Sequence, residues 1–190
     1  MQELHASLGP EMERSDPQGQ TAGRLIPFIG IFVLSFLVRL VISASLSHLG
    51  LWQNPQFDAH ENLAWAQALA AGDFRWPSPP THGPAYPFFL AALLKLGGGS
   101  LGFARVAQAA LGAATCVLLA RAGISLFGRR AGLAAGVLLT LSGPVALVDT
   151  TFWEDGFVGF LLSAALLLLG QDGRMGENRN GRPWARLRHI

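Results

Sequence analysis

The sequence predicts an all-α integral membrane protein, with about four transmembrane helices and two interfacial helices in the first external loop. Three observations carry this. Charged residues make up 14% of the 190-residue chain and hydrophobic ones 51%, whereas a soluble domain carries roughly a quarter charged. The mean hydropathy is +0.36, and the apolar residues gather in long runs. The remaining charges sort by sign, with arginines at one set of run ends and carboxylates at the other. A net charge of +2, with the arginines spread over those ends, gives no basic patch for nucleic acid. The one cysteine, Cys116, lies in an apolar run and reads as a small packed side chain.

Residues 1–24 are polar and aperiodic and read as a disordered cytoplasmic tail. Leu25 to Ser47 is the first span, apolar apart from Arg39 and a few serines. Arg39 is costly there unless it snorkels or meets a partner. The longest polar interruption follows, from Pro55 to Leu90. Asp58 with Glu61 three residues later fits a capping box, and Gly72 fits a helix stop. Between them Ala59, Leu63, Ala66, Leu69 and Ala70 share a face, predicting a short amphipathic helix on the membrane surface. Trp52, Trp65 and Trp76 suit the headgroup level.

Pro84 to Leu96 is apolar but reaches only about 20 Å, against roughly 30 Å of hydrocarbon. It reads as a second interfacial or re-entrant helix. Leu101 to Ala120 is the second span, with Arg105 and Gln108 near its start, and Ala131 to Val148 the third. An acidic connection carrying Asp149, Glu154 and Asp155 leads to the fourth apolar run, Gly156 to Gly170. Residues 171–190 form a basic tail. With 84–96 not spanning and the N-terminus cytoplasmic, Arg121, Arg129, Arg130 and the tail arginines all lie inside. Asp58, Glu61, Asp73 and the second acidic connection all lie outside. The expected location is a bacterial-type plasma membrane, multi-pass, with both termini cytoplasmic.

The order of segments is familiar: FDAHENLAWAQALAAGDF, HGPAYPFFLAALLKLGG, a helix opening Ala104-Arg105, and FGRR between spans. Residues 25–170 resemble the N-terminal portion of GT-C membrane glycosyltransferases of the dolichyl-phosphate-mannose–protein mannosyltransferase and aminoarabinose-transferase type. The resemblance implies transfer of a sugar (hexosyl or pentosyl) from a polyprenyl-phosphate donor to an acceptor on the extracytoplasmic face. It assigns Asp58 to the acidic first-loop position held to be catalytic, with Glu61 the local candidate for a second carboxylate. Asp149, Glu154 or Asp155 would fill the second-loop acidic position. Such enzymes have more spans and usually a soluble C-terminal domain, so the chain is expected to be a truncated member.

In that chemistry a general base takes the acceptor's proton, a role given to Asp58. The leaving phosphate needs positive charge, for which Arg105 and Arg39 are the candidates, with His60 or His82 assisting. A divalent Mg²⁺ or Mn²⁺ held by Asp58, His60 and Glu154 is a further expectation, since hard oxygen ligands favour those ions. The competing expectation is a catalytically inactive membrane subunit that binds a lipid or a partner membrane chain.

Overall fold

The computed structural model describes residues 17–49, 55, 57–75 and 83–180. Among them there are seven helices and no strand: α1 Pro17–Leu46, α2 Asp58–Ala70, α3 Ala85–Leu96, α4 Leu101–Phe127, α5 Arg129–Leu141, α6 Gly143–Val148 and α7 Asp155–Asn180. Helix α1 starts ahead of Leu25, so the expected boundary of the N-terminal tail falls inside it. Likewise α7 runs past Gly170 into the expected C-terminal tail. Trp52, Trp76, His82, Arg182, Arg186 and Arg188 lie outside the described residues.

Two helical stretches are long and apolar enough to cross a membrane: Leu25–Leu46 and Leu101–Phe127. Ala85–Leu96 and Asp155–Gln171 are apolar but shorter. The side-chain distribution is inverted relative to a water-soluble bundle. Ile26, Ile29, Leu37 and Val41 of α1 and Leu161, Leu162, Leu168 and Leu169 of α7 point outward, while Ser35, Arg39, Gln108, Thr140 and Ser163 are buried. Surfaces of that kind belong in lipid, where polar groups must find partners inside the protein.

Helix α4 is the hub, packed against α1, α3, α5 and α7. Most of its buried positions are small, which lets those neighbours approach: Ala104, Ala109, Gly112, Ala113, Cys116, Ala120 and Ala122. Gly128, at φ +93°, turns the chain into α5, and α5 returns along α4 on its Gly132–Gly136 ridge. A Cβ on Gly136 would stand 2.8 Å from the Ala120 Cβ and 3.0 Å from the Cys116 carbonyl oxygen. Spacing of small residues by four is the usual way for membrane helices to bring their backbones together.

The third expected span is not one helix. Its run Ala131–Val148 breaks at Ser142, whose ψ of 98° is extended, and resumes as the six-residue α6. Pro144 is the cause. It has no N–H to give and its ring would clash with the carbonyl of Thr140, so it sits in the first turn of a new helix.

Helix α2 ends as expected. Gly72 at φ +90° closes it, with the Gly72 N–H donating to Leu69 O (3.1 Å) and the Asp73 N–H to Ala68 O (2.9 Å), a Schellman ending. Its start differs from the predicted capping box. Phe57, at φ 54°, occupies the N-cap and no side chain caps there, so Asp58 is the first residue of the helix, not its cap. The apolar face predicted to lie on a membrane surface is instead covered by α3, in a cluster of Ala59, Leu63, Trp65, Leu69, Leu90 and Leu94 among others. Trp65 is buried within it, against protein rather than lipid or water.

Candidate functional site

The site is built where the α2–α3 pair meets α4 and the acidic connection between α6 and α7. Helix α3 is fixed by its Tyr-Pro start. The Gln108 amide of α4 donates to Tyr86 Oη at 2.5 Å, and burial pushes the Tyr86 phenol up, so it stays protonated. Phe89 stacks on Phe157 in the first turns of α7, with ring centroids 4.9 Å apart. Helix α2 is tied to the connection directly: the Asn62 amide donates to the Phe152 carbonyl at 3.4 Å. Phe152 is itself buried, and the Arg105 guanidinium stands 4.8 Å from its ring centroid, a cation–π contact.

A second polar centre lies deeper. Arg39 is fully buried and its Nε and Nη2 both donate to Asp149 Oδ2, at 2.8 and 2.6 Å. Its Nη1 donates to the Ser35 hydroxyl one turn back, and Ser35 Oγ in turn donates to Cys116 Sγ at 3.2 Å. The pair fits because two neighbours have no side chain. A Cβ on Gly112 would collide with Arg39 Nε and Asp149 Oδ2, and one on Gly156 with Asp149 Oδ1.

The structure thus joins two predicted residues, Arg39 and Asp149, into one ion pair. Arg105 is buried beside Phe152. Asp58 is partly buried at the start of α2, and His60 and Glu61 are exposed on its first turn. Glu154 is half-buried and Asp155 exposed at the entrance to α7. Among the described residues no three of His, Cys, Asp and Glu come together as a metal ion would require. The expected Asp58, His60 and Glu154 set is not among the groupings that the described residues form. Sequence reasoning passed over Ser35, Asn62, Gly112 and Gly156. The signal for Ser35 was its place one turn before Arg39; the glycines carried none that distinguishes them from others in the spans.

Asp149 and Asp155 also border a groove of about 470 Å³ between α4, α5, α6 and α7. Thr115, Leu139, Val148 and Ser163 are among its other walls. Two buried acceptors, Asn62 Oδ1 and Gln108 Oε1, take no hydrogen bond among the described residues.

An inverted helical bundle with charged and amide groups gathered at one end of its hub helix defines a membrane protein with a polar site inside it. The profile of the dolichyl-phosphate-mannose-protein mannosyltransferase family matches residues 81–177, just over half of the chain. The chain belongs to that family, as a glycosyltransferase-like membrane protein. The match takes in α3, α4, α5, α6 and the greater part of α7; Arg39 and Asp58 lie before it. No curated protein and no solved structure matches the chain.

Proposed function

We propose that the protein transfers a sugar from a polyprenyl-phosphate-linked donor to an acceptor at the extracytoplasmic face of the membrane. The observation that carries this reading is the Asn62–Phe152 bond. It attaches the helix opened by Asp58 to the connection that bears Glu154 and Asp155, so the two acidic segments share one end of the bundle. In the proposed reaction Asp58 takes the acceptor's proton as the acceptor attacks the anomeric carbon. The bond from that carbon to the phosphate oxygen breaks, and the leaving lipid phosphate keeps the electron pair. Glu61, Glu154 and Asp155 are the other carboxylates available to hold the acceptor or the proton.

Arg105 is the cation proposed for the leaving phosphate. It lies near the start of α4, beside the connection, and a guanidinium there can stabilise the charge that develops on the phosphate oxygens. Arg39 is already bound to Asp149, so its part is indirect. Four spans with both termini cytoplasmic are the arrangement that fits this chemistry and the distribution of arginines.

The test is transfer from a polyprenyl-phosphate sugar by the purified chain. Asp58→Asn is expected to lower turnover by roughly 100-fold or more, the usual contribution of a general base. Unchanged turnover would remove Asp58 from the chemistry.

A further inference from the structure

The connection from Asp149 to Glu154 is short, and its two threonine hydroxyls bond only to the helix before it. Thr150 Oγ1 donates back to Leu147 O and Thr151 Oγ1 to Val148 O, both in α6. Two polar contacts tie it to the rest of the bundle. At one, Asp149 takes two bonds from Arg39 of α1. At the other, Phe152 is held by Asn62 of α2 and covered by Arg105 of α4.

We infer that Arg39 and Asp149, seated on Gly112 and Gly156, are positioning residues of the transfer site. Together with the Phe152 anchor they hold Glu154 and Asp155 in one place relative to α2. This rests on the transferase reading for its chemical purpose, but not for its geometry.

A buried ion pair is a poor source of stability, because desolvation of both charges offsets most of their attraction; its best-attested use is to fix registry. Here the geometry is directional: both guanidinium nitrogens converge on one carboxylate oxygen, and Ser35 orients the third nitrogen. The glycines make that direction unique, since Asp149 Oδ2 lies over Gly112 and Oδ1 over Gly156. One carboxylate is therefore held between α1, α4 and α7 at once. Phe152 follows three residues later, so the segment between the anchors has little slack.

The experiment uses the full chain in nanodiscs. Spin labels are placed at His60→Cys on α2 and Thr151→Cys in the connection, in a Cys116→Ala background, and their separation is measured by pulsed dipolar spectroscopy. The parent is expected to give one narrow distribution. R39M/D149L removes both charges and leaves no buried ion unpaired; it is expected to lose that narrow distribution while remaining monodisperse. In the unlabelled protein the same double change is expected to lower kcat by roughly 100-fold with KM for the lipid-linked donor unaltered, the effect of a misplaced group remote from the chemistry. A distribution that stays narrow and unshifted, or kcat at the parent level, would overturn the inference. Should R39M/D149L fail to give monodisperse protein, Asp149→Asn, which keeps the shape and drops the charge, is read by the same two measurements. If the parent transfers no sugar but the distances respond as stated, the transferase reading falls and the two-point anchoring stands.

Discussion

Arg39 is the residue whose removal should be felt most. Its guanidinium is wholly enclosed, and deleting it leaves Asp149 as an uncompensated buried carboxylate. Arg39→Met alone should destabilise the protein by roughly 3–5 kcal/mol, whereas R39M/D149L should recover most of that loss; thermal unfolding in detergent checks both. Cys116 supplies a native reporter. It is fully buried and accepts from Ser35, so a membrane-permeant maleimide should leave it unlabelled in the parent and label it in Arg39→Met. Gly112→Ala and Gly156→Ala should each cost about 1–3 kcal/mol, because the added methyl has to displace the ion pair. On the exposed loop after α2, the Arg75 guanidinium beside Asp73 holds that carboxyl at about 2, below its usual range. A lowered folded pKa means the interaction is complete above the unfolded pKa and fades only as pH falls through about 2. Asp73→Asn should therefore leave a pH–rate profile unchanged between roughly pH 5 and 8. At this scale the sequence already marked Arg39 as needing a partner and Asp149 as one of three acidic candidates. Their pairing, across 110 positions, depends on how the helices cross, which no local pattern encodes.

Elements were legible where backbone chemistry decides them and less so where packing does. Gly72 ends α2 because only a residue free to adopt positive φ completes that Schellman ending. Ser100 opens α4 by accepting the Phe103 N–H at 3.2 Å, after the glycine turn that stops α3. The start of α2 misled for a physical reason: Asp58 has a capping side chain, but burial of Ala59, Leu63 and Ala66 against α3 sets where the helix begins. The run 131–148 was apolar throughout, so its hydropathy concealed the break that Pro144 imposes. The α4–α5 contact yields a prediction of its own. Gly136→Leu places a side chain where Ala120 and Cys116 already touch, and should separate the two helices, lower the unfolding midpoint and expose Cys116 to maleimide.

For the whole molecule, composition announced lipid as the solvent, and the outward leucines and isoleucines of α1 and α7 agree with it. The chain should stay with the membrane fraction after alkaline carbonate washing, and release into the supernatant would contradict that. Burial of Arg39 also has a consequence in time. A ribosome adding about 5–20 residues per second needs roughly 5–20 s to go from Arg39 to Asp149. Through that interval α1 carries an arginine with no carboxylate to meet it, at a penalty of roughly 2.5–3.5 kcal/mol for a mid-helix position. Retention of the first helix would then be provisional until the acidic connection emerges. Chains released before Asp149 should lose α1 from the bilayer more often than chains released just after α7, a difference that membrane-insertion assays on staged nascent chains can measure.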